Sequence, residues 1–411
     1  MLCYAQDTGA TPYLLRPWAE FMRCAGLAGF FPRHLQSAHY FAVSFAEMKD
    51  DKVAATIVLY RLLEPGANLH PLEALLVYVV PFWFLTVGGE YGDDLLALAK
   101  WNAACQISMF LVLVQIPTLL TGHMSYVDMG WPLGLCILAV NTFLYGSGGN
   151  QTRSVLVCGA LLLHGGRMFL GAVALMFPYV WKKEFFSRYE YARDRFIHHT
   201  ARPDLWRLKQ QHDTLGQCAA NCTVLAIPLM ITSTNPSPEL HWLELTGFCF
   251  WALSWCFENL ADAQKMAFVV AAKKAGDIRT AVLGHPPYNT AAYKLWTLCR
   301  HPNYFGEWCC WNSFILMALP AIMNLHPPVA CIGGFVITYC TSRFFYDCLV
   351  HWTGAAPAES RSVQRRPEFA AYQASTNVIF PFNLPWFDHH RTSQWPMVST
   401  KQHHMQQCKI Y

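Results

Sequence analysis

Long apolar segments recur through most of this sequence, and they constrain its fold more than any other feature. The chain has 411 residues, of which 54% are hydrophobic and only 14% charged, against about 25% charged in average soluble domains. A bilayer core of about 30 Å needs about 20 mostly apolar residues per helix. This template gives about eight spans, although six or seven also fit. They lie near 70–88, 101–121, 130–147, 154–180, 216–232, 241–260, 308–325 and 328–350.

The predicted fold is therefore all-α, a polytopic bundle of transmembrane helices. Because the apolar segments extend from about residue 70 to residue 350, no long polar block remains for a separate soluble domain. We expect an N-terminal cytosolic amphipathic segment over 1–65, a transmembrane domain over 66–387 and a polar tail over 388–411. The tail is rich in histidine, which can bind metal but more often marks a solvated tail.

The distribution of basic residues predicts which end of the bundle faces the cytosol, where lysine and arginine accumulate. With eight spans, the two termini and the loops after spans four and six carry nearly all of the basic residues. The loops of the opposite side carry only Lys100 and Arg153. Both termini should therefore be cytosolic. The polar motifs described below should share that side, with the position of SYVDMGW left open.

Charge and cysteine patterns exclude several classes of function. The net charge of +4 is small and the basic residues do not alternate with aromatic ones, so we expect no nucleic-acid binding. The 16 cysteines show neither paired CxxC spacing nor Cys/His zinc spacing. We interpret them as small hydrophobic residues in membrane helices and predict no metal site. No obligate protein partner can be inferred.

The segment RHPNYFGEW, residues 300–308, places polar side chains at the start of the seventh candidate span. Proline is favoured at the first helical position and restrains the residue before it, so a helix should begin at Pro302 with His301 outside. The free N–H groups of a helix start attract phosphate. Arg300 adds a guanidinium group whose geometry suits phosphate oxygens.

Three polar side chains share one face of this predicted helix, namely Asn303, Tyr304 and Glu307. Glu307 falls about one turn inside the membrane boundary, where a carboxylate is costly without partners and is a functional candidate by default. It could accept a bond from a carboxamide or an ammonium-like group, or stay protonated and donate one. The structural alternative is a helix cap in which Glu307 and Arg300 neutralise each other.

A second cluster lies in FENLADAQKMAF, at the end of the sixth candidate span. If that helix continues, Glu258, Asp262 and Lys265 fall on one face, with Asn259 beside them. Such a face can hold a ribose or an adenine amine with its carboxylates and a phosphate with its lysine. The alternative is an interfacial helix end with internal salt bridges.

A third cluster of charged residues follows the last span. The plain alternative is that such a juxtamembrane basic group marks only the cytosolic side of the membrane, as most do. It contains Glu359, Arg361, Arg365, Arg366 and Tyr372.

The fourth motif, HMSYVDMGWPLG, puts Tyr126 and Asp128 at the mouth of the third span. A phenol and an acid at a membrane boundary can donate a proton to a reacting lipid. A helix N-cap formed by Asp128 is the plainer alternative.

The four motifs, and their order along the chain, resemble those of the steroid 5α-reductase superfamily, in the branch with the domain of unknown function 1295. RHPNYFGEW, preceded by YKLWTLC, is similar to the GLWRYSRHPNYFGE signature. SYVDMGWPLG resembles S-x-V-D-x-x-W, and FENLADAQKMAF resembles E-x-x-A-D-x-Q-K-x-x-F. ESRSVQRRPEFAAYQASTNVIFPF follows the C-terminal E-x-R-x-x-x-R-P-x-Y-x-x-Y-Q-x-x-T-x-x-F-x-P motif. The resemblance covers about residue 100 to residue 383.

The resemblance implies an integral membrane reductase, with the endoplasmic reticulum favoured as its compartment. It would use NADPH from the cytosol to reduce a conjugated carbon–carbon double bond in a steroid, sterol or other hydrophobic lipid. Asn303 and Glu307 would hold the nicotinamide end, while Asn259, Asp262 and Lys265 would serve the adenosine and its phosphates. The residues that would complete the pocket are Arg300, His301, Tyr304, Arg361, Arg366 and Tyr372.

The sequence departs from the family pattern in two places. The catalytic Glu and Tyr of the steroid reductases have no matching motif, so Tyr126 and Asp128 are assigned as the proton-donating pair, with Glu307 as the third catalytic candidate. The loop before RHPNYFGEW is also longer than the signature usually allows.

Two other functions remain as alternatives. One is an isoprenylcysteine carboxyl methyltransferase-like enzyme, which carries a related RHP-x-Y-x-G string and binds S-adenosylmethionine. The other is a non-catalytic membrane scaffold that kept the reductase fold. Asn303, Glu307 and the ADAQK segment favour the reductase.

Overall fold

A computed structural model describes residues 93–146, 148–198, 203–326 and 328–382. Every regular element within these ranges is a helix, as the sequence predicted. The predicted N-terminal segment 1–65, the first candidate span and the tail 388–411 lie outside the described residues, as do the predicted domain boundaries.

The described residues form helices that we number in chain order. They are α1 Asp93–Phe110, α2 Ile116–Thr121, α3 Val127–Tyr145, α4 Gln151–Met176, α5 Ser187–His198, α6 Trp206–Cys222, α7 Ala226–Ser233, α8 Trp242–Ala275, α9 Lys294–Leu298, α10 Pro302–Met323, α11 Pro328–Asp347, α12 Ala355–Arg365 and α13 Phe369–Ser375. A π-helical turn, Leu111–Gln115, joins α1 to α2, and a second, Cys348–Trp352, follows α11.

By length and composition, five helical stretches of the described residues can cross a membrane. They are Asp94–Thr121, Val127–Tyr145, Gln151–Met176, Trp206–Ser233 and Pro328–Arg365. These stretches coincide with the second, third, fourth, fifth and eighth predicted spans. The sixth and seventh predicted spans fall on α8 and α10, which are long helices but are not among these five stretches.

Two glycines let α8 and α10 pack with their backbones in close approach, as small residues do in membrane bundles. A Cβ on Gly247 of α8 would lie 3.0 Å from the carbonyl oxygen of Ser313 in α10. A Cβ on Gly306 of α10 would lie 2.9 Å from the Cα of Glu258 in α8. The two helices therefore touch at both ends of their contact, and side chains beside Gly306 are forced into proximity.

A buried amide cluster accompanies the break between α6 and α7. The side chain of Asn102 donates to the carbonyl of Asn221 (3.2 Å), which has lost its helical partner at the end of α6. Asn221 donates in turn to the carbonyl of Trp131 (3.1 Å), and Gln106 donates to the carbonyl of Gly134 (2.7 Å). The side chain of Asn102 thus satisfies a carbonyl at the helix break that an apolar environment would leave unpaired.

An ion pair closes the bundle at the end opposite to the polar motifs. Arg153, at the start of α4, is 1% exposed, and its Nε donates to Glu244 Oε1 of α8 at 2.5 Å. The same guanidinium donates to the carbonyls of Asn235, Ser237 and Glu239. Arg153, one of the two basic residues predicted for the loops of the opposite side, is therefore part of a fully satisfied buried network.

Candidate functional site

The candidate site lies where α4, α8 and α10 meet, next to the Gly306 contact. Its central side chains are His164 of α4, Glu258 of α8 and Glu307 of α10. His164 Nε2 lies 3.4 Å from Glu307 Oε1, and His164 Nδ1 lies 3.9 Å from Glu258 Oε2. His164 is fully buried and the two glutamates are almost so. Two carboxylates and an imidazole therefore share one pocket of low polarity, which is costly unless it serves function.

Arg167, one turn after His164, compensates part of this negative charge. Its guanidinium binds Glu258 and also donates to Asp262 Oδ2 at 2.8 Å. Asp262 accepts a second bond, through Oδ1, from the side-chain amide of Asn303 (3.1 Å). A chain of contacts thus joins α4, α8 and α10, from the buried Glu258 to the half-exposed Asp262. Glu258 and Asp262 of α8 therefore make their described polar contacts with side chains of the neighbouring helices α4 and α10, and not with each other.

The carboxylate of Glu307 keeps one oxygen available. Oε1 is approached by His164 and by the indole N–H of Trp311, which lies 3.4 Å away. These two contacts leave Oε2 of Glu307 without a described hydrogen bond. The side-chain oxygen of Asn303, one turn earlier, is buried and has no hydrogen-bond partner among the described residues. Two acceptors on one helix face are therefore free to meet a ligand that carries N–H donors.

Arg300 occupies a different place from the one predicted. It is 2% exposed and donates to both oxygens of Glu359, at 2.8 Å from Nε and 3.1 Å from Nη2. Its remaining nitrogen donates to the carbonyls of Gln373 and Thr376. All of its side-chain nitrogens are thus engaged, so the guanidinium is not free to bind phosphate. The predicted cap between Arg300 and Glu307 is also wrong, because each has another partner.

His301 and Tyr304 border this ion pair. His301 Nε2 lies 2.7 Å from Glu359 Oε1, and its ring stacks on that of Tyr304 with centroids 5.0 Å apart. Burial lowers the pKa of His301 below its usual value, although the contact with Glu359 opposes that change. α10 begins at Pro302 with His301 outside it, which confirms the helix start predicted from the sequence.

Tyr372 of α13 is also a packing residue. It is buried, and its hydroxyl donates to the carbonyl of Trp296. The indole N–H of Trp296 donates to the carbonyl of Ala261 in α8 (3.0 Å), so Tyr372 and Trp296 connect α13 to α8. The ammonium of Lys265 lies 5.7 Å from the centre of the Trp296 ring.

Three cations surround the outer part of the site. Lys265 is an exposed residue, yet crowding removes hydration from its ammonium and so lowers its pKa. The charge of Asp262 opposes this decrease in pKa, whereas the charges of Arg188 and Arg366 add to it. Arg188 of α5 donates to Asp128 Oδ1 at 2.5 Å. Asp262 and Asp128 offset part of this positive charge.

Asp128 belongs to this region, whereas Tyr126 packs apart from it. Asp128 Oδ1 accepts from Arg188 and from the hydroxyl of Tyr189 at 2.7 Å. Burial and the charge of Asp128 raise the pKa of Tyr189 well above its usual value. Tyr126 is 2% exposed, and its ring meets that of Trp181 edge to face at 5.2 Å.

The predicted N-cap role of Asp128 is wrong, because Asp128 lies inside the first turn of α3. The backbone N–H groups that precede this helix are held instead by Glu184, which accepts from Met124 (2.7 Å) and Ser125 (3.0 Å).

Two predicted residues are not joined to the site by any described contact. The side chain of Asn259 donates to the carbonyl of Trp255 on its own helix at 2.7 Å. Arg361 lies in α12, and its side chain is outside the described ones. Arg366 follows α12 and contributes charge near Lys265.

Sequence reasoning missed His164, Arg167 and Arg188. The first two interrupt an apolar span in LLLHGGRMF, and a charged residue within a span is by itself a functional signal. Arg188 lies among other basic residues of its loop, and no local pattern distinguishes it from them.

Buried charged groups that converge at one end of long apolar helices define a polytopic helical membrane protein with a polar site between its helices. The chain belongs to the family described as protein of unknown function (DUF1295), whose model matches residues 113–376, more than half of the chain. This is the branch that the four motifs resemble. Comparison with curated proteins and with solved structures gave no match.

Proposed function

We propose that this protein is a membrane-embedded NADPH-dependent reductase of a conjugated carbon–carbon double bond in a steroid, sterol or related hydrophobic lipid. The observation that carries the proposal is the pair of free acceptors on α10, Asn303 Oδ1 and the second oxygen of Glu307. A nicotinamide carboxamide has an NH2 group that can donate to both. Membership of the DUF1295 family and the four motifs support the same reading.

The outer cations suit the phosphates of the same cofactor. The charges of Arg188 and Arg366 both act on Lys265, and a bound anion would offset this repulsion. Asp262 remains the proposed partner for the adenosine side, with its carboxylate oriented by Arg167 and Asn303. The proposal assigns Arg300 and Tyr372 to positioning, because the described contacts of both are internal.

The bound cofactor would supply the hydride, and the chain must hold the reactants and supply a proton. Tyr126 and Asp128 remain the proposed proton-donating pair, at the start of α3. The hydroxyl of Tyr189, which donates to Asp128, fixes the orientation of that carboxylate. The lipid would lie against apolar helix faces, whose side chains suit many hydrophobic substrates.

The proposed location is the endoplasmic reticulum membrane, with the candidate site opening to the cytosol. The excess of lysine and arginine in the loops at the site end supports this orientation. The class of lipid substrate supports the compartment.

Ligand binding to the purified protein in detergent tests the proposal. Saturable NADPH binding without S-adenosylmethionine binding is expected. The reverse result would favour the methyltransferase, and binding of neither would favour the scaffold. Comparison of lipids from cells with and without the gene should then show an unsaturated lipid that accumulates in its absence.

A further inference from the structure

Three side chains that can bind metal converge at the inner part of the site. They are His164, Glu258 and Cys310, contributed by α4, α8 and α10, and all three are buried. One ligand atom from each lies within 4.8 Å of the other two. Their positions in the chain are far apart, so no local spacing reveals the group, and the sequence predicted no metal site.

Two of the ligand atoms face each other without a hydrogen bond. His164 Nδ1 and Glu258 Oε2 are buried, have no hydrogen-bond partner among the described residues, and lie 3.9 Å apart. That separation is too long for a hydrogen bond. The other nitrogen of His164 faces Glu307, as in the carboxylate–histidine–metal arrangement in which an outer carboxylate accepts from the ligating imidazole. In that tautomer Nδ1 carries a lone pair directed at a carboxylate oxygen, and a metal ion between them would accept an electron pair from each.

The separation also agrees with metal geometry. Zinc binds nitrogen and carboxylate oxygen at about 2.0–2.2 Å, so two such ligands lie about 3.3 Å apart in a tetrahedral site and about 4 Å apart when opposed. The observed 3.9 Å falls between these limits. The thiol of Cys310 has one described contact, 4.0 Å from the carbonyl of Trp251, which leaves its sulfur available.

We propose that His164, Glu258 and Cys310 form a binding site for a divalent d-block cation, with Zn²⁺ as the preferred ion. Binding would release the thiol proton of Cys310 to solvent, so that thiolate and carboxylate neutralise the charge of the ion. The three protein ligands leave a fourth position open, as in catalytic zinc sites. Glu307 orients His164 from outside the ligand set. The proposal does not depend on NADPH binding.

Metal content of the full-length protein tests this site. Because the tail can bind metal by itself, the background protein carries alanine at four tail histidines, 389, 390, 403 and 404. After stripping with chelator, loading with Zn²⁺ and desalting, we expect about one zinc per chain by mass spectrometry. Loading with Co²⁺ should give a thiolate-to-metal charge-transfer band.

Substitutions identify the ligands. Cys310→Ser should abolish the charge-transfer band, whereas Cys309→Ser, at the neighbouring buried thiol, should leave it unchanged. Glu307→Gln should weaken Zn²⁺ binding by about 10- to 100-fold, the usual effect of losing an outer partner of a ligating histidine.

Two results would overturn the proposal. One is a loaded protein that retains no zinc while it remains monodisperse. The other is equal metal content and an equal cobalt spectrum in Cys310→Ser and Cys309→Ser. A His164→Gln variant, which removes the ligating imidazole, should also lose the zinc; if it does not fold, the two serine variants still decide the matter. NADPH binding measured on the same samples separates failure of this proposal from failure of the reductase assignment.

Discussion

His164 Nε2 lies 3.4 Å from Glu307 Oε1, across the contact between α4 and α10. The imidazole thereby fixes one oxygen of the carboxylate and leaves the other directed elsewhere. Because both groups are buried, neither can exchange this partner for water without opening the bundle. The orientation of Glu307 is therefore set by α4, a helix outside the RHPNYFGEW motif.

Glu307→Gln should weaken NADPH binding while the fold is kept. The amide is of similar size but replaces a charged acceptor, and charge-assisted hydrogen bonds contribute about 1.5–3 kcal/mol. We expect a loss of roughly tenfold to hundredfold in affinity, measured by fluorescence titration. Glu239→Gln is the matched control, because that glutamate is exposed at the opposite end of the bundle. Equal affinity in both variants would remove Glu307 from the cofactor site.

The ion pair of Arg167 with Glu258 should show strong coupling. Arg167→Met leaves a buried carboxylate without its guanidinium, which costs about 3–5 kcal/mol in free energy of unfolding. The double variant Arg167→Met/Glu258→Gln should recover much of this loss, since the uncompensated charge is gone. Thermal unfolding in detergent measures the cycle. Additive effects of the two substitutions would mean that the pair contributes nothing as a pair.

Substitution of Arg300 should mainly lower stability, whereas substitution of Lys265 should mainly lower NADPH affinity. Arg300→Ala removes the partner of the buried Glu359 and should lower the free energy of unfolding by about 3–5 kcal/mol. Lys265→Ala should leave stability almost unchanged but weaken NADPH binding by about tenfold, through loss of a phosphate contact. Melting temperature and NADPH affinity are measured on both variants. A stable Arg300→Ala protein with weakened NADPH binding would restore Arg300 to the phosphate site.

His301 should make the folded state sensitive to acid. Its pKa is lowered in the folded protein, mainly by burial, so the unfolded state binds a proton more readily. The contribution of His301 to stability is therefore complete above the pKa of an unfolded histidine, about 6.5, and is lost as the pH falls through the lowered folded value. Melting temperature should fall more between pH 7.5 and about 5 in the native protein than in His301→Gln. Equal pH profiles would contradict this assignment.

Local patterns predicted the helices of the site well. Pro302 marks the start of α10, and the spacing of Glu258 and Asp262 places them on one face of α8, because both signals depend only on helix geometry. The partners could not be predicted in the same way. Arg300 pairs with Glu359, 59 residues later, and no local rule distinguishes that pairing from a contact with phosphate.

The span count shows a related limit. α8 and α10 coincide with predicted spans and are long helices, yet they are not among the five stretches that can cross a membrane by length and composition. His164 and Arg167 interrupt an apolar segment of the sequence, whereas the structure uses both as connections to α8. Hydropathy records the average character of a helix and does not show which neighbour a single polar residue meets.

The contact of Gly306 with Glu258 has a consequence for substitution in RHPNYFGEW. A side chain at position 306 would have to displace backbone atoms of α8, since the Cα and N of Glu258 lie 2.9 and 3.0 Å from its Cβ position. The two helices would then move apart. The hydrogen bond between Asn303 and Asp262 and the position of Glu258 would change, although none of these three residues had been substituted. The absence of a side chain at Gly306 therefore sets the separation of α8 and α10, and the distances between the polar groups of these two helices depend on it.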